Sequence, residues 1–231
     1  TDGTVRPGEA MAEAAKLLEN IFRSVNIALV NELAMLCDRM GIDVWDVIEA
    51  AATKPFGFMR FTPGPGWGGH CIPVDPFYLS WKARQFNFEA RFIELAGNVN
   101  GAMPEYVVQR VMDALNAQKK ALNGAKVHVI GVAYKRDVND LRESPALEII
   151  ELLHHRGAHV TYTDPYFPAF SHAGLDLVSV PEADMHKGAD VGVIVTDHKA
   201  FDYAAMVKNF PLLVDTRNAL KGVKNDTIFR L

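Results

Sequence analysis

The 231-residue sequence predicts a mixed α and α/β fold: an all-helical first part, then a doubly wound part built on a parallel sheet. Three observations carry this. Apolar residues recur at three- and four-residue steps up to residue 118. The period changes after Asn123-Gly124. From there β-branched runs alternate with short amphipathic stretches.

Residues 8–40 read as one long helix, with Leu18, Ile21, Val25, Ala28, Leu29 and Leu36 at helical spacing. Gly41 followed by Ile42 fits a left-handed C-cap with an apolar residue behind it, and Asp43 fits the N-cap of a second helix over 44–52. Between Thr53 and Pro76 prolines and glycines leave no room for a regular element. A shaped loop of that length inside a compact domain is often functional. Helices resume over 76–86 and 92–118, the latter broken near Gly101 and Pro104. In the second part 126–132, 158–162, 191–196 and 212–214 read as strands. Residues 145–155, ended by Gly157, 181–187 and 201–210 read as helices.

With 49% hydrophobic and 23% charged residues the chain has the balance of a globular protein. No stretch approaches the ~18–20 apolar residues of a membrane-spanning helix. Acidic side chains outnumber basic ones by 14 to 12 in residues 1–125 and by the same margin in 126–231, so no basic cluster points to nucleic acid. Cys37 and Cys71 lie in unlike contexts with no apolar leader before them, which suits free thiols in a cytoplasmic setting.

Gly64-Pro65-Gly66-Trp67-Gly68-Gly69 matches the G-x-G-x-x-G string of dinucleotide sites, but no strand precedes it and no helix follows directly, so that reading is set aside. Its glycines still let backbone amides crowd an anion. A free cysteine is usually a small buried hydrophobe, the reading given to Cys37. Cys71 differs: it lies between glycine, histidine and proline, just before a helix start marked by Asp75 as N-cap and Pro76 at the first position. A helix N-terminus and a nearby cation favour thiolate and so make a nucleophile of a thiol. Capping alone accounts for Asp75 as well as chemistry does, and His70 is given no role. His154, His155 and His159 bracket a helix end, where basic side chains suit the dipole, and no metal is assigned to them.

Ala14-Ala15-Lys16-Leu17-Leu18-Glu19-Asn20, Asn26-Ile27-Ala28-Leu29-Val30-Asn31-Glu32 and the run from Gly66-Trp67-Gly68-Gly69-His70-Cys71 to Leu79 resemble the nucleotide-sugar dehydrogenases, the UDP-glucose/GDP-mannose dehydrogenase family. The block from Gly131-Val132-Ala133-Tyr134-Lys135 to Arg142-Glu143-Ser144-Pro145 is similar to that family's C-terminal signature. The resemblance spans essentially the whole chain. It implies a central helical dimerisation domain over 1–124 and a Rossmann-like UDP-sugar-binding domain over 125–231, with the family's N-terminal NAD-binding domain absent.

It further implies oxidation of the C6 alcohol of a UDP-sugar to the acid with reduction of NAD, feeding polysaccharide biosynthesis. Cys71 would add to the intermediate aldehyde as a thiohemiacetal; hydride loss gives a thioester that water hydrolyses. Lys16 and Asn20 match a pair that steadies the C6 oxygen, one turn apart on a helix face. Asp75 matches a residue that positions lysine and water. Gly66, Gly68, Gly69, Lys135 and Arg217 match substrate contacts, and Arg142 an arginine that reaches NAD. Lys54 is taken as a further substrate contact, standing where UDP-glucose enzymes often carry an arginine that reaches a neighbouring subunit; an ammonium lacks the guanidinium fork. Strand C-terminal ends, where open α/β sheets bind ligands, independently favour Lys135 and Arg217. The loop wording resembles the branch that oxidises UDP-N-acetylhexosamines, such as UDP-N-acetylglucosamine. UDP-glucose oxidation, or a dimerising nucleotide-sugar-binding module without chemistry, are the alternatives. The 231 residues alone are expected to be inactive and to form a homodimer through the central helices.

Overall fold

The computed structural model describes residues 7–69 and 71–231, so His70 lies outside the described residues. The first helix, α1 (Pro7–Met40), ends as its sequence dictates: Gly41 takes φ 68°, its N–H reaches Asp38 O, and Ile42 N–H reaches Cys37 O at 2.9 Å. That paired closure satisfies carbonyls the helix would otherwise leave open. The Asp43 carboxylate accepts from Trp45 N–H and starts α2 (Val44–Ala52). After the glycine-rich loop come α3 (Asp75–Arg84), α4 (Arg91–Gly101) and α5 (Met103–Ala117), with the break between the last two at Ala102.

The remaining elements are β1 (Lys126–Ile130), α6 (Pro145–His155), β2 (His159–Thr163), β3 (Ala169–His172), β4 (Leu175–Val178), β5 (Val191–Ile194), α7 (Tyr203–Asn209), β6 (Leu213–Asp215) and β7 (Ile228–Arg230). Five strands form a parallel sheet in the order β2-β1-β5-β6-β7, with Val127 opposite both Val160 and Val191. The order reverses between β1 and β5, and crevices at such a switch point are where open parallel sheets bind ligands. Strands covered on both faces are near-continuous apolar runs. Val127, Val129, Val193 and Val214 pack with Val107, Val111 and Leu115 of α5 and Ile149, Ile150 and Leu153 of α6, while Ile130, Ile194 and Leu213 pack with Met206 and Phe210. Helix α5 thus belongs to the sheet's core. Arg110 on it pairs with Asp38 of α1 at 3.0 Å and donates to Arg230 O, and Trp45 Nε1 donates to Leu231 O.

Four elements depart from the sequence reading. Residues 181–187 hold only one turn of 3-10 helix, Glu182–Asp184, enclosed by Pro181 and by Gly188 at φ 73°. The antiparallel β3–β4 hairpin and the edge strand β7 had no reading, because these part-exposed short strands lack the continuous apolar run that marks the equally short but buried β5 and β6.

Candidate active site

The loop over 64–69 lies between the helices and the carboxyl ends of the strands, held from both sides. On the helical side Asn31 Oδ1 accepts from Gly64 N–H at 2.9 Å, Asn31 Nδ2 donates to Asn100 Oδ1 at 2.8 Å, and Asn100 Nδ2 donates to Ser24 O. Both amides are fully buried, so each bond stands in place of water and the chain is fixed where it enters the loop. On the strand side Gly69 N–H donates to Arg142 O at 3.1 Å. Gly68 and Gly69 press against the segment that follows β1: a Cβ at Gly68 would stand 2.7 Å from Glu143 O, and one at Gly69 2.9 Å from the Tyr134 ring. Glycine is required by close approach there, and at Gly69 also by φ 89°. Gly66 abuts Pro104 of α5 and Pro145 at the start of α6.

Cys71 follows this loop and is exposed, whereas Cys37 is buried among Val30, Ala34 and Trp45. The Cys71 carbonyl accepts from both Val74 and Asp75 N–H, so the chain already turns before α3 begins. Asp75 is therefore the first helical residue and not the N-cap: Val74 precedes the helix, and no side chain caps it. Released from capping, the Asp75 carboxylate accepts from Asn20 Nδ2 at 3.0 Å. Asn20 is 1% exposed and Asp75 half-buried, so this bond ties the residue just after the turn of Cys71 to α1. Lys16, one turn earlier, is exposed, with Nζ 3.2 Å from Glu19 Oε2. Opposite Cys71, Arg142 is gripped by the Asp140 carboxylate through Nε and Nη2. That bond raises its guanidinium above the ordinary range, and Tyr134 and Cys71 are close enough to add smaller electrostatic support.

The strand ends supply cations. Arg217, after β6, donates from Nε to Val195 O at 2.8 Å, and its Nη1 would meet a Cβ at Gly64 at 2.7 Å. Burial pushes it down to about 10, with the neighbouring Arg136 adding to the drop and Asp215 opposing it. Asp215 is fully buried, accepts N–H bonds from Arg217, Ala219 and Leu220, and is raised by that burial. Arg136 pairs with Asp197, and Lys135 is exposed beside it. Lys54 stays on the exposed turn after α2, its Nζ 6.0 Å from the Phe56 ring centroid. Among the described residues no three His, Cys, Asp or Glu side chains are placed to hold a metal ion, and no helix is long and apolar enough to cross a membrane.

Sequence reasoning missed the asparagine clamp and a buried His198–Asp164 pair beneath the segment that follows β1. Asp164-Pro165 at a strand end was the available signal for the second. The partners lie 34 and 69 residues apart in the chain, beyond any local spacing pattern.

Residues 10–102 match the central-domain model of the UDP-glucose/GDP-mannose dehydrogenase family, and residues 128–222 match its UDP-binding-domain model. A UDP-N-acetyl-D-mannosamine dehydrogenase of Methanococcus maripaludis is 37% identical over 219 residues, 91% of this chain and 48% of that protein. An NDP-N-acetyl-D-galactosaminuronic acid dehydrogenase of Ralstonia nicotianae is 39% identical over 193 residues, 82% of this chain and 43% of its own length. The structure of a UDP-D-ManNAc dehydrogenase from Pyrococcus horikoshii superposes with a TM-score of 0.80 at 34% identity, covering 94% of this chain and 50% of that one. The chain spans about half the length of the relatives it matches. With two models of one family matched in order and a shared fold over nearly all its residues, the chain belongs to the UDP-glucose/GDP-mannose dehydrogenase family.

Proposed function

We propose that this chain is the helical and nucleotide-sugar-binding part of an enzyme that oxidises the C6 alcohol of a UDP-N-acetylhexosamine to the acid. One observation carries the reading: an exposed cysteine follows a glycine loop clamped between buried amides of the helices and cationic strand ends. The diphosphate lies against Arg217, Lys135 and the glycine loop at Gly66, Gly68 and Gly69; the Gly69 N–H is taken by Arg142 O, so the two cations and the remaining loop amides meet the anion. This directs the sugar toward Cys71.

Cys71 Sγ, as thiolate, adds to the C6 aldehyde and forms the C–S bond of a thiohemiacetal, whose oxyanion is met by Lys16 and Asn20. After oxidation to the thioester, water adds at the carbonyl, the C–S bond breaks, and the carboxylate and free thiol result. Asp75, whose carboxylate accepts from Asn20 Nδ2, holds Asn20 in place and orients that water. The family's hydride acceptor is NAD, but the described residues do not build a site for it. Helix α6 begins only at Pro145, and the N–H groups of Val132 and Ala133 after β1 are already taken by Asp164 Oδ2. Only the exposed Arg142 is assigned toward NAD, and no hydride step is given to residues of this chain.

The names of the relatives, which specify N-acetylmannosamine and N-acetylgalactosaminuronic acid, support an N-acetylhexosamine substrate. A homodimer through residues 1–124 is supported by a stripe on α1: Leu18, Phe22, Leu29, Leu36 and Met40 recur at seven- and four-residue steps and are 46–66% exposed. The test is NADH release. A polypeptide of the relatives' length containing these residues is expected to release two NADH per UDP-N-acetylhexosamine, and the 231 residues alone none. Preference for UDP-glucose overturns the substrate class, and turnover by the 231 residues overturns the assignment of NAD elsewhere.

A further inference from the structure

The side chain of His198 is completely buried at the carboxyl end of β5, on the switch point between β1 and β5. Its two nitrogens have opposite duties. Nδ1 accepts from Asp137 N–H at 2.9 Å, so it carries no proton, and Nε2 must therefore carry one, which it donates to Asp164 Oδ2 at 3.0 Å. The same carboxylate oxygen accepts from Val132 and Ala133 N–H at 2.7 and 3.1 Å, and Oδ1 accepts from Tyr166 N–H. Burial raises the Asp164 carboxyl, but the His198 hydrogen bond and the Tyr166 and Val132 N–H groups outweigh it and hold it below its ordinary value.

The segment that carries Tyr134, Lys135 and Arg136 is thereby fastened at both ends, at 132–133 through Asp164 and at 137 through His198. Asp137 needs that fastening. It sits at φ 57°, a left-handed conformation that a non-glycine residue keeps only where its surroundings impose it, and its Oδ1 accepts from Lys199 N–H beside His198.

We infer that His198 is a positioning residue which, through its unprotonated Nδ1, holds residues 134–137 so that Lys135 faces the nucleotide diphosphate together with Arg217, with Arg136 held to Asp197 beside them. The inference rests on the UDP site proposed above. It goes beyond that reading in giving the substrate cations a buried support that touches no substrate.

Two amide replacements separate the duties of the ring. In His198→Asn the amide oxygen falls near the Nδ1 position and keeps the acceptor for Asp137 N–H; in His198→Gln the amide reaches the Nε2 position and keeps only the bond to Asp164. Calorimetric titration of the 231-residue protein with UDP and hydrogen exchange at residues 134–139 are measured on both variants. His198→Gln is expected to weaken UDP binding about tenfold or more and to speed exchange at 134–139, as the part-buried Asp137 N–H loses its acceptor. His198→Asn is expected to stay within about threefold of the unaltered protein in affinity. Equal losses in both variants, or unaltered exchange in His198→Gln, overturn the inference. Failure of the unaltered protein to bind UDP overturns the UDP site and the ligand half of the inference with it, and exchange at 134–139 then decides the loop half alone.

Discussion

Replacing Gly68 by alanine probes the contact between loop and strand ends with the smallest possible change. The added methyl would stand 2.7 Å from Glu143 O, 2.9 Å from Tyr134 Cβ and 3.3 Å from Pro145 Cδ. None of these can give way cheaply. Glu143 is already at φ 50°, and the next residue, Ser144, is locked by its hydroxyl, which donates to Val132 O at 2.7 Å while capping α6. Overpacking against such a wall costs about 1–3 kcal/mol. Moving the loop off it also loosens the Gly69 N–H to Arg142 O bond, worth about 0.5–1.5 kcal/mol. Together the loss is about 1.5–4.5 kcal/mol in urea unfolding, with weaker UDP binding. Gly101→Ala is the control, since a Cβ there meets nothing within 4 Å and the position is helical. It is expected to be neutral or to stabilise by up to about 1 kcal/mol. A Gly68→Ala protein that unfolds and binds UDP like the unaltered one would refute the wedged-loop geometry.

Burial pushes His128 down to about 4, so the folded state favours its neutral form; its contribution is present above about pH 6.5 and is lost as pH falls toward 4. About 3 kcal/mol is expected to disappear across that window, and His128→Gln to flatten the curve; unfolding midpoints against pH decide it. Leu29→Glu places a charge in the apolar stripe of α1 and is expected to shift the protein from dimer to monomer by light scattering with unchanged helix content. In a polypeptide competent for NAD, Cys71→Ser is expected to abolish acid formation and the thioester adduct seen by mass spectrometry of the acid-quenched enzyme; undiminished turnover removes Cys71 from the chemistry.

What the sequence made legible was local. The closing turn of α1 follows from Gly41-Ile42, the cap of α2 from Asp43, and the loop from its glycines and prolines, because each depends on neighbours a few residues away. Asp75 shows the limit: Asp-Pro before a helix fits a cap, yet two N–H groups bonded to Cys71 O begin the turn earlier and free the carboxylate for Asn20, 55 residues distant in the chain. His198, Asp164, Asn31 and Asn100 act through partners that only the folded chain brings together, and a lone histidine or asparagine carries no periodic signal. Arg217 is named by the family resemblance, with its strand-end position independently in favour, but its contact with Gly64 belongs to tertiary structure.

In the proposed function the nucleotide sugar occupies the cleft between loop and strand ends with Cys71 beside it. Iodoacetamide modification of the unaltered protein, followed by peptide mapping, tests this directly, since Cys71 is exposed and Cys37 is buried. Saturating UDP-N-acetylmannosamine is expected to slow alkylation of Cys71 while Cys37 stays unmodified. Alkylation of Cys71 at the same rate with and without the bound nucleotide sugar would contradict it.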